Sequence, residues 1–252
     1  MTVSLVRLTA VHAKYSIIET LRIPIALIGT VVFPTLALLF FVVPQQAVAG
    51  NPEFATQAII SMSVFSVMVG SLFSFGLGIA ENREKAWDPY LRTLPAPGIA
   101  RVLAHIFSTG ALAILALLPL LVVGAILTAA EASPLRIVLG LLAIAVSSLP
   151  FMLLGICIGY AFPTKAAIAV VQVTFFALAF GGGLFLPPVM FPDWLNTVSQ
   201  FLPSRQARDF VIWAVQGGEL TPLTVLGIVG WTAVLLALAL LLFRRDEGRR
   251  FR

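Results

Sequence analysis

Charged residues cluster along this chain, and between the clusters lie six stretches with no Asp, Glu, Lys or Arg. They are Ile23–Pro52, Phe54–Ala80, Val102–Ala130, Ile137–Thr164, Ala166–Pro192 and Leu220–Phe243, of 30, 27, 29, 28, 27 and 24 residues. A helix crossing a bilayer needs about 20 apolar residues, whereas buried core helices give runs of roughly 10–14. The pattern therefore predicts an all-α membrane protein with six spans, at 23–43, 57–80, 102–128, 136–161, 166–186 and 222–243. Residues 1–252 form one transmembrane domain on this reading. Composition agrees: 60% of residues are hydrophobic and 11% charged, against about 25% charged in soluble domains.

Between and within the spans, finer patterns appear. Residues 1–22 read as an interfacial helix that turns into span one near Pro24. In span two, Ser63, Ser66, Gly70, Ser74 and Gly78 recur at spacings of 3 and 4 and share one helix face; small residues let backbones approach closely in lipid. Span four holds "GICIG" (Gly155–Gly159), which serves equally as packing within the chain or as a contact to a second copy. Spans three and four join through "EASP" (Glu131–Pro134), and four and five through "FPTK" (Phe162–Lys165). The segment 187–221 is longer and rich in Pro, Phe and Trp. It predicts two short helices forming a re-entrant or interfacial pair, the first capped by Asp193 and the second by Ser204.

Charge then sets the orientation. With six spans, 13 of the 16 basic residues fall on the side of the two termini, and Arg136, Arg205 and Arg208 on the other. The positive-inside rule puts both termini in the cytoplasm. The formal net charge of +5 is accounted for by topology and attraction to lipid headgroups, with no nucleic-acid partner. Cys157 is the single cysteine, so there is no disulfide framework.

Several chemistries are excluded. Lys occurs only at 14, 85 and 165, and none follows Gly, so there is no phosphate-binding loop. His12 and His105 are far apart, and one cysteine completes no zinc site. No G-x-S-x-G elbow exists. The spans also lack the buried charges that ion-coupled carriers usually use, although unwound backbone can bind sodium. No catalytic or metal-ligating residue is expected, and the energy source is expected on another chain.

One segment departs from the apolar pattern. "ENREKAWDPYLRTLPAP" (Glu81–Pro97) has six charges in its first twelve residues. At about 2.5–3.5 kcal/mol per charge in mid-membrane, burying it would cost roughly 15–20 kcal/mol, so it lies outside the bilayer as a helical elbow. Trp87 and Tyr90 within it need something to pack on.

With that segment, the chain resembles the permease subunits of type-2 ABC exporters, which move drugs, lipids or polysaccharides outward. The resemblance rests on the amphipathic start, the six spans, the E-x-R-E…L-x-x-L-P-x-P form of residues 81–97, and "GGGLFLPPVMFPDWLNTVSQFLP" (Gly181–Pro203). It implies that residues 81–97 hold a coupling helix docking on a separate ABC ATPase subunit, with Glu81, Arg83, Glu84, Lys85, Trp87, Asp88 and Tyr90 at or beside the contact. Many members carry Gly-Thr just after the charged cluster, where this chain has Ala86-Trp87. ATP and Mg would be bound by the ATPase, and a second permease copy or a paralogue would complete the pathway. The expected location is the cytoplasmic membrane of a prokaryote, among membrane lipids. Candidate pathway-lining residues on spans two and five are Ser63, Ser66, Ser74, Gln172, Thr174 and Phe175. The 19 Phe residues and the charge-free spans favour an apolar or amphiphilic substrate. An ion-gradient-driven six-span carrier is the alternative.

Overall fold

The computed structural model describes residues 5–22, 32–85 and 98–250, and every regular element among them is helical. The protein is an all-α membrane protein. Helix α1 spans Leu5–Leu21, α2 Phe33–Ala37 and α3 Gln46–Ala49. Helix α4 runs Pro52–Glu84 and α5 Gly98–Leu127. Then follow α6 (Pro134–Ser147), α7 (Leu149–Ala161), α8 (Thr164–Gly181), α9 (Asp193–Ser199), α10 (Pro203–Gln216) and α11 (Pro222–Arg250). Five stretches are long and apolar enough to cross a membrane: α4, Phe107–Leu127 of α5, Pro134–Ala161, α8 and Pro222–Asp246. Of the expected first span, a shorter apolar helix over Phe33–Val42 is present; residues 23–31, with Pro24, lie outside the described residues.

Local chemistry explains the helix starts. Asn51 Oδ1 accepts from the N–H groups of Glu53 (2.9 Å) and Phe54 (3.3 Å), with Pro52 as the first helical residue of α4. Ser133 Oγ accepts from Arg136 N–H at 3.4 Å ahead of Pro134. Both are side-chain caps followed by a proline whose missing N–H costs nothing at that position. The expected fourth span is divided: α6 ends at Ser147 and α7 begins at Leu149, two residues before Phe151. Pro150 cannot donate into the preceding turn, and Ser148 Oγ donates to the Ala145 carbonyl at 2.7 Å there. The last helix extends past the apolar run into the charged tail.

Helix α4 is the centre of the molecule, with Phe65, Met68 and Leu72 fully buried against Phe151, Val171, Phe175 and Val211. Helix α11 is the opposite case, with Leu226, Val229, Val234 and Leu241 exposed, as suits a helix facing hydrocarbon. Helix α1 packs along α5, where Ser16 Oγ lies 3.1 Å from Ser108 Oγ.

Between Leu72 and Leu77, α4 widens into a π-helical stretch, and α7 packs on it through the two glycines of "GICIG". A Cβ at Gly159 would lie 2.8 Å from Ile79 Cβ and 2.9 Å from the carbonyl oxygens of Phe75 and Gly76. A Cβ at Gly155 would lie 3.1 Å from the Ser71 carbonyl. The motif is thus used within the chain. Gly159→Ala is expected to destabilise the fold by about 1–3 kcal/mol, because backbone must shift to admit the methyl. Gly78→Ala, where a Cβ meets nothing within 4 Å, is expected to be neutral or slightly stabilising. Thermal unfolding of the two purified variants checks this.

Two expected caps are corrected. Helix α9 starts at Asp193 itself, and α10 starts at Pro203 after Leu202, each without a side-chain cap. Ser204 Oγ donates instead to the Leu178 carbonyl at 2.7 Å. That carbonyl, in the last turn of α8, also accepts from the Gly182 N–H at 2.9 Å, so the hydroxyl adds a second bond that ties two helices together rather than starting one.

Candidate functional site

Polar side chains gather at the two ends of α4. At the elbow end, the helix stops where Lys85 turns extended, and the two residues before it reach other helices. Arg83 Nη1 donates to the Gly159 carbonyl of α7 at 2.8 Å. Its Nε and Nη2 donate to Asp246 Oδ1 of α11, at 3.1 and 2.5 Å. The guanidinium also stands 5.6 Å from the Tyr160 ring centroid, and Tyr160 meets Phe243 edge-on at 5.5 Å. Asp246 is only 7% exposed and Arg83 22%, so the pair is shielded from the solvent screening that weakens surface ion pairs.

Glu84 completes the arrangement. Its Oε1 accepts from Thr164 N–H at 2.9 Å, the first N–H of α8, whose preceding residue, Pro163, supplies no side-chain acceptor. A carboxylate at a helix N-terminus satisfies an orphan donor and favours the helix dipole. Consecutive residues of α4 therefore hold the ends of α7, α8 and α11 together.

The coupling residues named from the sequence accordingly divide. Arg83 and Glu84 engage helices of their own chain. Glu81 and Lys85 are exposed, and Lys85 Nζ donates to Asn82 Oδ1 at 2.7 Å. Trp87, Asp88 and Tyr90 lie outside the described residues. Asp246 and Thr164 were missed by sequence reasoning. The signal for Asp246 was an acid within "FRRDEGRR", a tail otherwise readable as a topology signal.

The six pathway candidates do not converge on one surface. Ser63 and Ser66 are buried, and Ser63 Oγ donates to the Ile59 carbonyl at 2.8 Å. Ser74 Oγ lies 3.3 Å from His105 Nε2 and 3.1 Å from Thr109 Oγ1 on α5. Gln172 is exposed and Thr174 half-buried. Phe175 is buried in a run of rings with Phe65, Phe73 and Phe176.

At the far end of α4, α10 is tied down along its buried face. Arg208, 6% exposed, donates through Nε to Ser61 Oγ at 2.9 Å, through Nη2 to Gln57 Oε1 at 3.4 Å, and through Nη1 to Asp209 Oδ1 at 3.2 Å. Gln216 Nε2 donates to the Glu53 carbonyl (3.0 Å), and Arg136 Nη1 to that of Ala214 (3.2 Å). Gln57 and Ser61 stand off the small-residue stripe of α4, which is why the stripe did not reveal them. A cavity of about 210 Å³ lies between α4, α5, α6 and α10, lined by Ile59, Leu117, Leu121, Ile144 and Val211 among others.

Apolar helices of spanning length, held together by polar contacts at both ends of a central helix, define a multi-pass helical membrane protein. Residues 7–215 match the ABC-2 type transporter family. A candidate transport permease, YvfS of Bacillus subtilis (strain 168), is 27% identical over 190 residues, covering 75% of this chain and 78% of the relative. The chain belongs to the ABC-2 type transporter family, as a membrane transport permease subunit of an ABC transporter. Membership implies, in general terms, an ABC ATPase partner.

Proposed function

We propose that the chain is the pathway-forming subunit of an ATP-driven exporter of an apolar or amphiphilic substrate. Two copies, or one with a paralogue, would form the pathway, and the segment 81–97 would seat on a separate ATPase that binds ATP and Mg. Both termini and that segment would face the cytoplasm, in the cytoplasmic membrane of a prokaryote, as the 13-to-3 division of basic residues argues. The six-span count, with 23–43 as span one, belongs to the same proposal.

The observation that carries the reading is the joining of α4 to α7, α8 and α11 through Arg83 and Glu84. A push on residues 81–84 would be delivered to three membrane helices at once. Closure of the ATPase dimer would thereby bias the spans between two arrangements.

The test uses Glu81, which is exposed, because reversing Arg83 or Glu84 would disturb the spans themselves. Glu81→Lys is expected to reduce substrate-stimulated ATPase activity of the reconstituted complex while leaving membrane insertion and unfolding temperature unchanged. Unaltered stimulation would remove Glu81 from the contact. Repeated purification from native membranes without a P-loop protein, with transport instead following an ion gradient, would replace the reading with that of a secondary carrier.

A further inference from the structure

The cavity at the far end of α4 is nearly all hydrocarbon. Its two side-chain hydroxyls are already committed: Thr56 Oγ1 donates to the Pro52 carbonyl at 2.7 Å and Ser63 Oγ to that of Ile59 at 2.8 Å. Glu131 is the one charged residue among the described residues that line it. Its position is fixed by the backbone, since Glu131 N–H donates to Thr56 Oγ1 at 3.2 Å. Its side chain is exposed, in the connection between α5 and α6. Arg136, the basic residue next along the chain, donates to the Ala214 carbonyl and does not line the space.

A site of this composition selects by both shape and charge. The side chains of the walls offer no uncommitted hydroxyl and no cation to an anionic or strongly polar group, and burying such a group there without partners is costly. An apolar body gains by leaving water or headgroup, and a carboxylate beside low-dielectric walls attracts a cation and repels an anion. We infer that this cavity binds an amphiphile with a cationic head, its hydrocarbon between Ile59, Leu117, Leu121 and Val211 and its head at Glu131. The inference names a substrate class for the export reading and rests on that reading for its role in transport; the binding itself does not depend on it.

The experiment compares decyltrimethylammonium, decyl sulfate and decanol binding to the purified full chain in nanodiscs of zwitterionic lipid. Wild type is expected to bind the cation in preference to the other two. Glu131→Gln is expected to weaken cation binding about two- to fivefold, the range of a partly exposed ion pair, and to leave decanol unchanged. Ala125→Phe, at an exposed position lining the cavity, is expected to weaken binding of all three by filling the space. Equal binding of the three probes to wild type, or a cation preference that survives Glu131→Gln, overturns the inference. So does undiminished binding to Ala125→Phe with an unchanged unfolding temperature. A chain that fails here yet is driven by an ATPase loses the site and keeps the export reading. Cation preference in a chain that no ATPase drives does the reverse.

Discussion

Arg83→Ala is expected to lower the unfolding free energy by about 2–3 kcal/mol, the range for charge-assisted hydrogen bonds to a shielded partner, and to uncouple ATP hydrolysis from transport. The substitution removes the contacts that the nearly buried Asp246 carboxylate and the Gly159 carbonyl make with this guanidinium. It also removes the cation that stands over Tyr160. Asp246→Asn, which keeps the shape and one acceptor, is expected to cost less. The exchanged pair Arg83→Asp with Asp246→Arg should recover part of the coupling that either single change loses, although Gly159 would no longer be reached from α4. A double-mutant cycle read by transport per ATP hydrolysed separates this from simple loss of fold. Additive effects of the two changes would mean that the residues do not act as a pair.

The second large effect is expected at the other end of the same helix. Arg208→Ala leaves Ser61 and Gln57 of α4 without the donor they share and is expected to cost about 2–3 kcal/mol, as for loss of charge-assisted bonds in a buried site. Arg208→Lys retains the charge but not the planar fork that reaches three acceptors, so it should recover only a fraction. Hydrogen exchange distinguishes local from global damage. Faster exchange is expected over Pro203–Gln216, with the helix ends around Thr164 and Asp246 unchanged. Uniformly faster exchange would show that Arg208 supports the whole fold rather than the seating of one helix.

What the sequence could and could not tell follows from the range of each interaction. The long helices were legible because bilayer thickness imposes its length on any apolar run, as in Pro52–Glu84 and Thr164–Gly181. The caps at Asn51 and Ser133 are equally local chemistry, but sequence reasoning placed caps at Asp193 and Ser204 instead. Arg83 was singled out as a residue at or beside the ATPase contact, and where its side chain goes within its own chain was not legible. Asp246 is 163 positions away, and no spacing rule connects them. Ser204 failed for a related reason: beside Pro203 it looks like a cap, yet a carbonyl on another helix takes its hydroxyl. Gln57 and Ser61 were hidden because a stripe of small residues marks close packing, while the buried arginine arrives from α10, 151 and 147 positions further along the chain.

The π stretch in α4 has one more consequence. Six residues, Leu72–Leu77, take the wider turn between the Arg208 contacts and Arg83, and a π stretch amounts to one residue more than an α-helix would place there. In an α-helix each residue advances the azimuth by about 100°. Because the wider turn absorbs that extra residue, Arg83 and Glu84 keep the direction, relative to the face that receives Arg208, that an α-helix one residue shorter would give them. A relative lacking one position in this stretch is therefore expected to run α-helical through it with the same side chains aimed as here, whereas the same gap in a wholly α-helical part of α4 would turn them by about 100°.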